Sequence, residues 1–234
     1  MRRAKIAGLA IVVILSTAIV AGCIGTDLVT DDFDGLYGVN EDSVLRVTNR
    51  NGDVEITRTN GDQVELHVDI SSTHGQESID DLDIVVDETG GNVAISTEYS
   101  TQQNQATANM KIKVPWYVHI SQVTTSNGDV DVRIDMSEGD AEVSSSNGDV
   151  KVSVREGFTH NLTATSSNGN VEVIIDPDED LMITASTSNG RVTFSGLDVT
   201  FTVDQPKSKI GTMGAGGTML TATTSNGDVD VRSS

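Results

Sequence analysis

The chain has 234 residues, and its 35 acidic and 15 basic side chains give a formal net charge of −20. This length suffices for one large β domain or two small ones. A surface this acidic repels phosphate backbones, so nucleic acid is excluded as a partner. The acidity fits a cell-surface protein in salty surroundings, as in a halophile, and equally an all-β protein that needs charge for solubility. Aromatic residues make up only 3% of the chain, which predicts a core of Val, Ile, Leu, Ala and Thr.

The first 22 residues have the pattern of a signal peptide. Arg2, Arg3 and Lys5 precede an apolar run from Ile6 to Ala21, which is short for a membrane-spanning helix. The run ends in Val20-Ala21-Gly22-Cys23, which resembles the lipobox of prokaryotic lipoproteins. We therefore predict a signal helix over residues 1–22 and a lipid on Cys23, with an uncleaved membrane anchor as the alternative. Both interpretations place the remaining chain on the extracytoplasmic side, held at the membrane and exposed at the cell surface.

Residues 23–40 are rich in Gly, Asp and Thr and predict a flexible tether behind the lipidated cysteine. Residues 41–234 predict one repeat domain, less regular over residues 41–120 and regular over residues 121–234. The less regular part contains alternating stretches that predict strands: Val44–Thr48, Val54–Thr57, Val64–Ile70, Leu82–Val86, Val93–Tyr99 and Met110–Val114.

One short phrase recurs five times in the regular part. Each copy has two Ser/Thr residues, then Ser-Asn-Gly, then residues that alternate with valine or another apolar side chain. Its asparagines are 20, 21, 21 and 37 residues apart, and a sixth, weaker copy lies upstream. The predicted structural residues of the repeat are Asn51, Gly52, Asn127, Gly128, Asn147, Gly148, Asn168, Gly169, Asn189, Gly190, Asn226 and Gly227.

A period near 20 residues with internal alternation predicts a β-solenoid, similar to a β-helix, in which each repeat contributes two half-buried strands. Successive repeats would then stack, with Asn127, Asn147, Asn168 and Asn189 in single file beside stacked hydroxyls. The alternative is a sandwich in which Asn-Gly marks independent hairpin turns. An insertion near residues 197–217, predicted as one strand and a surface loop, explains the longest spacing. The last copy, Asn226–Arg232, would form the open edge of the stack.

Three segments together resemble the putative adhesin family of β-strand repeat proteins, a domain of unknown function on bacterial and archaeal surfaces. They are Leu45–Thr48 leading to Asn51–Val54, then Lys113-Val114-Pro115, then the repeated Ser-Asn-Gly-Asp-Val phrase. The resemblance spans about residues 44–231. It implies a β-helix-like fold and no known catalytic residues.

No catalytic constellation or cofactor motif stands out in the sequence, so we predict a protein that is not an enzyme and binds no cofactor. No two of the histidines His67, His74, His119 and His160 lie at metal-ligand spacing. The segment Asp176–Asp180 begins like a calcium loop but lacks the glycine and glutamate that complete one, so calcium and a solvated acidic turn both stay open. We predict no metal site, and a possible glycosylation at Asn161 in the sequon Asn161-Leu162-Thr163.

The sequence thus predicts a non-catalytic surface lipoprotein that acts as a binding, adhesion-like or envelope scaffold module. One alternative is a polysaccharide-acting β-helix enzyme, although dispersed carboxylates and few aromatics argue against it. A second is an accessory sensor of an envelope-stress system. The ligand or partner, the number of coils and the oligomeric state stay open.

Overall fold

A computed structural model describes residues 28–101, 105–134, 139–155 and 157–234. Over these residues the fold is all-β with a single five-residue helix, so the predicted fold class is confirmed at this level. The predicted signal helix and Cys23 lie outside the described residues. No helix in the described ranges has the length and apolar character needed to cross a membrane.

The strands follow the chain closely, and their bounds are β1 (Val29–Gly38), β2 (Val44–Asn51), β3 (Val54–Thr59), β4 (Gln63–Ser72), β5 (Leu82–Thr89), β6 (Asn92–Tyr99), β7 (Thr107–Pro115), β8 (His119–Asn127), β9 (Val130–Ile134), β10 (Ala141–Asn147), β11 (Val150–Val154), β12 (Leu162–Asn168), β13 (Val171–Ile175), β14 (Leu181–Asn189), β15 (Val192–Ser195), β16 (Val199–Gln205), β17 (Ser208–Met213), β18 (Thr218–Asn226) and β19 (Val229–Ser233). The helix α1 covers Gln76–Asp80.

The described strands form two sheets with mixed pairing. The nine-stranded sheet has the order β1-β4-β7-β3-β9-β11-β13-β19-β15, and the ten-stranded sheet has the order β16-β17-β14-β18-β12-β10-β8-β2-β6-β5. Pairing is parallel in the middle of both sheets. Antiparallel strands stand at the ends, where β4 joins β1 to β7 and where β5 and β17 pair with β6 and β14.

Alternation in the sequence explains which side of each strand is buried. In β11, Val150, Val152 and Val154 point inward while Lys151 and Ser153 face out, as a period of two requires. The same pattern holds in the facing sheet, where the inward residues near the corner are as small as Ala164 and Ala222. The two inner faces form one hydrophobic core, and each fully buried valine contributes about 1.5 kcal/mol or more to stability.

Six chain segments each place one strand in either sheet, joined at an Asn-Gly corner, and we call each such segment a rung. Their paired residues put Asn51, Asn127, Asn147, Asn168, Asn226 and Asn189 side by side in that order. The predicted single file is therefore present. Its predicted order is wrong, because the Asn226 rung lies between the Asn168 and Asn189 rungs.

The inserted segment explains this exchange. It was predicted as one strand and a loop, but it forms an antiparallel hairpin, β16–β17, that pairs with the far edge of β14. With that edge occupied, the returning chain enters between β12 and β14, where both neighbours supply parallel partners for β18. The glycines at 214, 216 and 217 adopt positive φ and reverse the chain before β18.

The last repeat is consequently interior, and its prediction as an open edge is wrong. Strand β19 pairs with β13 on one side and β15 on the other. Its inward residues Val229 and Val231 are fully buried. Part of the predicted tether is also ordered, because residues 29–38 form β1, which pairs with β4 along its whole length.

Candidate functional site

The repeated asparagines form a hydrogen-bonded ladder along one corner of the molecule. Each side-chain amide donates to the Oδ1 of the asparagine in the preceding rung, as in the bond of 2.7 Å from Asn127 to Asn51. The ladder continues through Asn147, Asn168, Asn226 and Asn189 at 2.8 to 3.0 Å. Because the amides of Asn127, Asn147, Asn168, Asn226 and Asn189 all donate to a neighbouring asparagine of the file, we assign these residues a structural role.

The neighbouring hydroxyls and glycines complete the corner. In every rung except that of Asn51, the Ser or Thr two residues before the asparagine is buried and donates to a glycine carbonyl of the adjacent rung, as Ser145 does to Gly128 at 2.8 Å. The hydroxyls therefore bond to backbone and not to one another. A Cβ on Gly148 would overlap the carbonyl oxygen of Gly128, which explains the glycine in every copy.

A second ladder follows from the residue after each glycine. Asp129 donates its backbone N–H to the carboxylate of Asp53, and Asp149 donates in the same way to Asp129 at 2.7 Å. The file continues through Asn170, Asp228 and Arg191. Each carboxylate is therefore held by an N–H dipole, which offsets the repulsion between neighbouring acids. Strand β7 extends this ladder without an Asn-Gly phrase, since Asn109 accepts from the N–H of Asp53.

The predicted glycosylation residue, Asn161, is exposed, but its side chain has partners on both sides. Its amide donates to Asp140 at 3.3 Å, and its Oδ1 accepts the backbone N–H of Met219 at 3.1 Å. A glycan on this nitrogen would compete with the bond to Asp140, the residue before β10. Glycosylation at Asn161 stays a prediction.

The acidic turn at Asp176–Asp180 points its carboxylates at backbone N–H groups. Glu179 is buried and accepts from Gly157 and from Phe158, and Asp180 accepts from Ala215 at 2.6 Å. These bonds tie the turn to two neighbouring loops. Across the described ranges, no three His, Cys, Asp or Glu side chains converge as a metal site would require.

The histidines occupy different environments. Burial, together with nearby His160, lowers the pKa of His119 below its ordinary value. His67 lies on the outer face of β4, where its Nδ1 contacts Asp34 at 2.8 Å and its Nε2 contacts Asp69 at 3.1 Å. The hydrogen bond with Asp34 raises the pKa of His67 above 6.5, and the same contact links β1 to β4.

This geometry predicts that His67 favours the folded state at low pH. Its folded pKa is raised above the unfolded value of 6.5, so its stabilising effect is complete below that pH and is lost as pH rises through the folded pKa. Imidazole chemical shifts, followed by NMR from pH 5 to 9, should give a pKa above 6.5. Asp34→Asn should bring the value back toward 6.5, and an unchanged pKa in this variant would contradict the assignment.

The outer face of the nine-stranded sheet carries an open groove of about 1130 Å³. Three arginines, Arg58, Arg133 and Arg155, line it together with Trp116, the only tryptophan of the chain. Trp116 is 57% exposed and its ring contacts Tyr117 edge-on at 5.7 Å between centroids. In a chain with net charge −20, this concentration of arginines beside an exposed indole makes the groove the candidate binding site.

The charges within the groove are not equivalent. Arg58 donates to the carbonyls of Pro115 and Val118 at 3.0 and 2.9 Å, so it fixes the turn that carries Trp116. Asp131 lies 3.4 Å from Lys151. Arg133 forms no ion pair with any carboxylate that the structure describes, which leaves its guanidinium available to a ligand.

Sequence reasoning missed this groove. In the sequence, Trp116 follows the predicted strand Met110–Val114, and Arg133 is one of many polar residues that alternate with apolar ones. The sequence does contain one indication of the groove. Arg133 occupies the outward position after the second valine of its repeat, where other repeats have Ser153, Ile174 and Arg232. A cation at this position, beside a lone tryptophan, indicates a surface that differs from the Ser/Thr face of the other sheet.

The two stacked sheets and their ladders define a β protein built from short rungs. The chain belongs to the Toastrack DUF4097 family, whose match covers residues 39–232. The predicted resemblance to the putative adhesin family of β-strand repeat proteins is therefore confirmed. None of the curated proteins compared with the chain matches it.

A solved structure shares the fold at low sequence identity. A putative cell adhesion protein from Clostridium sporogenes is 12% identical, with a TM-score of 0.62 over 87% of this chain and 100% of that one. This likeness supports the fold. A putative adhesin from Bacteroides fragilis (13% identity, TM-score 0.34, 90% and 98% covered) and a putative lipid binding protein from Parabacteroides distasonis (10%, 0.27, 88% and 96%) superpose poorly.

Proposed function

We propose that this protein is a non-catalytic module of the cell surface that binds an envelope or extracellular partner through the groove on its nine-stranded sheet. The observation that carries the proposal is that the repeat residues and the groove residues have different roles. The repeat side chains bond to one another along the stack, whereas Arg133 and Trp116 present an exposed guanidinium and an exposed indole in one groove.

The family and the adhesion protein that shares the fold agree with a surface role. The rungs, about 20 residues each, are interpreted as a short β-solenoid that acts as a rigid support for this groove. The groove also contains Glu55, Asp131 and Asp176, but Asp131 is paired with Lys151. A glycosidase needs two carboxylates within about 10 Å of each other. The strand of Glu55, β3, and the strand that Asp176 follows, β13, lie three strand spacings or about 14 Å apart, which favours binding over hydrolysis.

A lipid on Cys23 would hold the module close to the membrane. Strand β1 begins at Val29, six residues after that cysteine, and six residues span at most about 20 Å. The ordered body would then stand near the lipid surface without a long tether. Both the lipid and the cell-surface location are parts of the proposal.

Binding to cell envelopes tests the function. The full chain should bind purified envelopes of the source cells, and a variant with both Trp116→Ala and Arg133→Gln should lose most of that binding. The matched control is Met182→Ala with Arg46→Gln, two residues on the outer face of the other sheet. Equal retention of the groove variant and the wild type, or release of reducing ends from envelope glycans, would contradict the proposal.

A further inference from the structure

We propose that the groove takes a glycan chain that carries carboxylates, such as a polymer of uronic acids. This inference rests on the proposed binding function and assigns the chemical class of its ligand. It uses four features: the exposed guanidinium of Arg133, the hydroxyls beside it, the exposed indole of Trp116, and the open volume of the groove.

Arg133 supplies the charge selection. Its strand neighbours bring hydroxyls to both sides, since Ser153 pairs directly with Arg133 and Thr57 follows the paired residues Ile56 and Val132. A guanidinium offers two parallel N–H donors that match a carboxylate, and such bidentate bonds are among the stronger polar contacts in proteins. Flanking hydroxyls can donate or accept, as the hydroxyls of a sugar require.

Trp116 supplies the apolar contact. More than half of its surface is exposed, and its contact with Tyr117 and the Arg58 bonds to the same turn hold it in place. A sugar ring has an apolar face of C–H groups that packs on a flat indole, whereas its hydroxyls stay at the edge. An exposed indole beside the planar guanidinium groups of the groove therefore suits a pyranose ring better than an aliphatic ligand.

The acids of the groove limit how much negative charge the ligand can bring. Glu55 and Asp176 line the same walls as the arginines, and the whole chain is acidic. A densely sulfated or phosphorylated polymer would place several charges against these carboxylates. The carboxylate of one sugar ring can reach Arg133, and the acids of the groove can accept hydrogen bonds from the hydroxyls of the ligand.

The shape suits a polymer. The groove of about 1130 Å³ is open to solvent, and a second groove of about 650 Å³ shares Glu55 and Thr57 with it. Lys111 and Lys113 line the second groove and are paired with Asp69 and Glu65. A glycan polymer can therefore extend from the first groove into the second. Both lysines of the second groove are already paired with carboxylates, so neither would hold the end of the polymer in place.

Calorimetric titration of the full chain with oligogalacturonate, neutral dextran and dextran sulfate tests the assignment. We expect oligogalacturonate to bind most tightly, and Arg133→Gln and Trp116→Ala each to weaken it by about tenfold or more. The control Arg46→Gln should bind like the wild type. Equal affinity for dextran, tighter binding of dextran sulfate, or no loss in Arg133→Gln would overturn the carboxylate assignment and leave envelope binding intact. Failure of the wild-type chain to bind envelopes would instead overturn the proposed function.

Discussion

Gly128→Ala is expected to destabilise the fold by about 3 kcal/mol or more. Gly128 has φ of +147°, and a Cβ there would overlap the carbonyl group of Gly52 in the adjacent rung. That carbonyl also accepts the buried hydroxyl of Thr125, so neither rung can move away without breaking a bond of the corner. Chemical denaturation monitored by circular dichroism measures the effect.

Gly61→Ala is the matched control for that substitution. Gly61 lies in the turn between β3 and β4, and a Cβ there would make only ordinary contacts with Thr59. Its stability should stay within about 0.5 kcal/mol of the wild type. If Gly128→Ala were as stable as this control, the close approach of the rungs would be wrong.

Asn49→Ala should lower the free energy of unfolding by about 2–4 kcal/mol. Asn49 is 1% exposed, and its amide donates to the carbonyls of Gly52 and Ala108 while its Oδ1 accepts from Thr97. It replaces the Ser or Thr of the other rungs because the first rung rests on β7, which has no Asn-Gly corner. The variant removes all three bonds and leaves buried carbonyls with fewer donors.

A serine at this position offers a partial rescue. Asn49→Ser should recover part of the loss. In the later rungs a hydroxyl at this position donates to a glycine carbonyl of the adjacent rung, and the carbonyl of Ala108 takes the place of that glycine carbonyl here. The exposed Asn60→Ala serves as the control and should leave the free energy of unfolding unchanged. Equal stability of Asn49→Ala and Asn60→Ala would show that the buried amide contributes nothing.

The corner of the stack could be predicted from the sequence because its chemistry repeats at a fixed period. Each Asn-Gly copy needs the same glycine, hydroxyl and amide, so the spacing specifies the register of neighbouring strands. The order of the last two rungs could not be predicted in this way. The inward residues Leu220 and Ala222 are equivalent in character to Ile183 and Ala185, so either rung fits beside Asn168, and only the β16–β17 hairpin decides.

The exchanged order also changes the outer charges. If the rungs stacked in the order of the sequence, Thr193 would lie beside Glu172. In the structure Asp230 occupies that place. Burial, followed by the charge of Glu172, raises the pKa of Asp230, and Arg232 pairs with Glu172 at 2.6 Å. Contacts of this kind come from residues about 60 positions apart, which no local pattern reports.

The groove and β1 escaped prediction for related reasons. Arg133 looks like any exposed strand residue until Thr57 and Ser153 are placed beside it by pairing. In β1 the acidic residues Asp31, Asp32 and Asp34 interrupt the alternation of apolar and polar side chains. The strand can be recognised only from its pairing with β4, which includes the contact with His67. Long-range pairing thus supplies both features.

The order of the rungs supports the whole account, and disulfide formation tests it most directly. In a Cys23→Ser background, Thr165→Cys with Thr223→Cys joins two residues that face each other on neighbouring parallel strands. Thr165→Cys with Ser186→Cys joins residues that have Thr223 between them, about 10 Å apart. A disulfide needs Cα atoms closer than about 7 Å. We predict that mild oxidation of the folded chain links the first pair and leaves the second pair as thiols, whereas rapid linkage of the second pair and none of the first would contradict the structure.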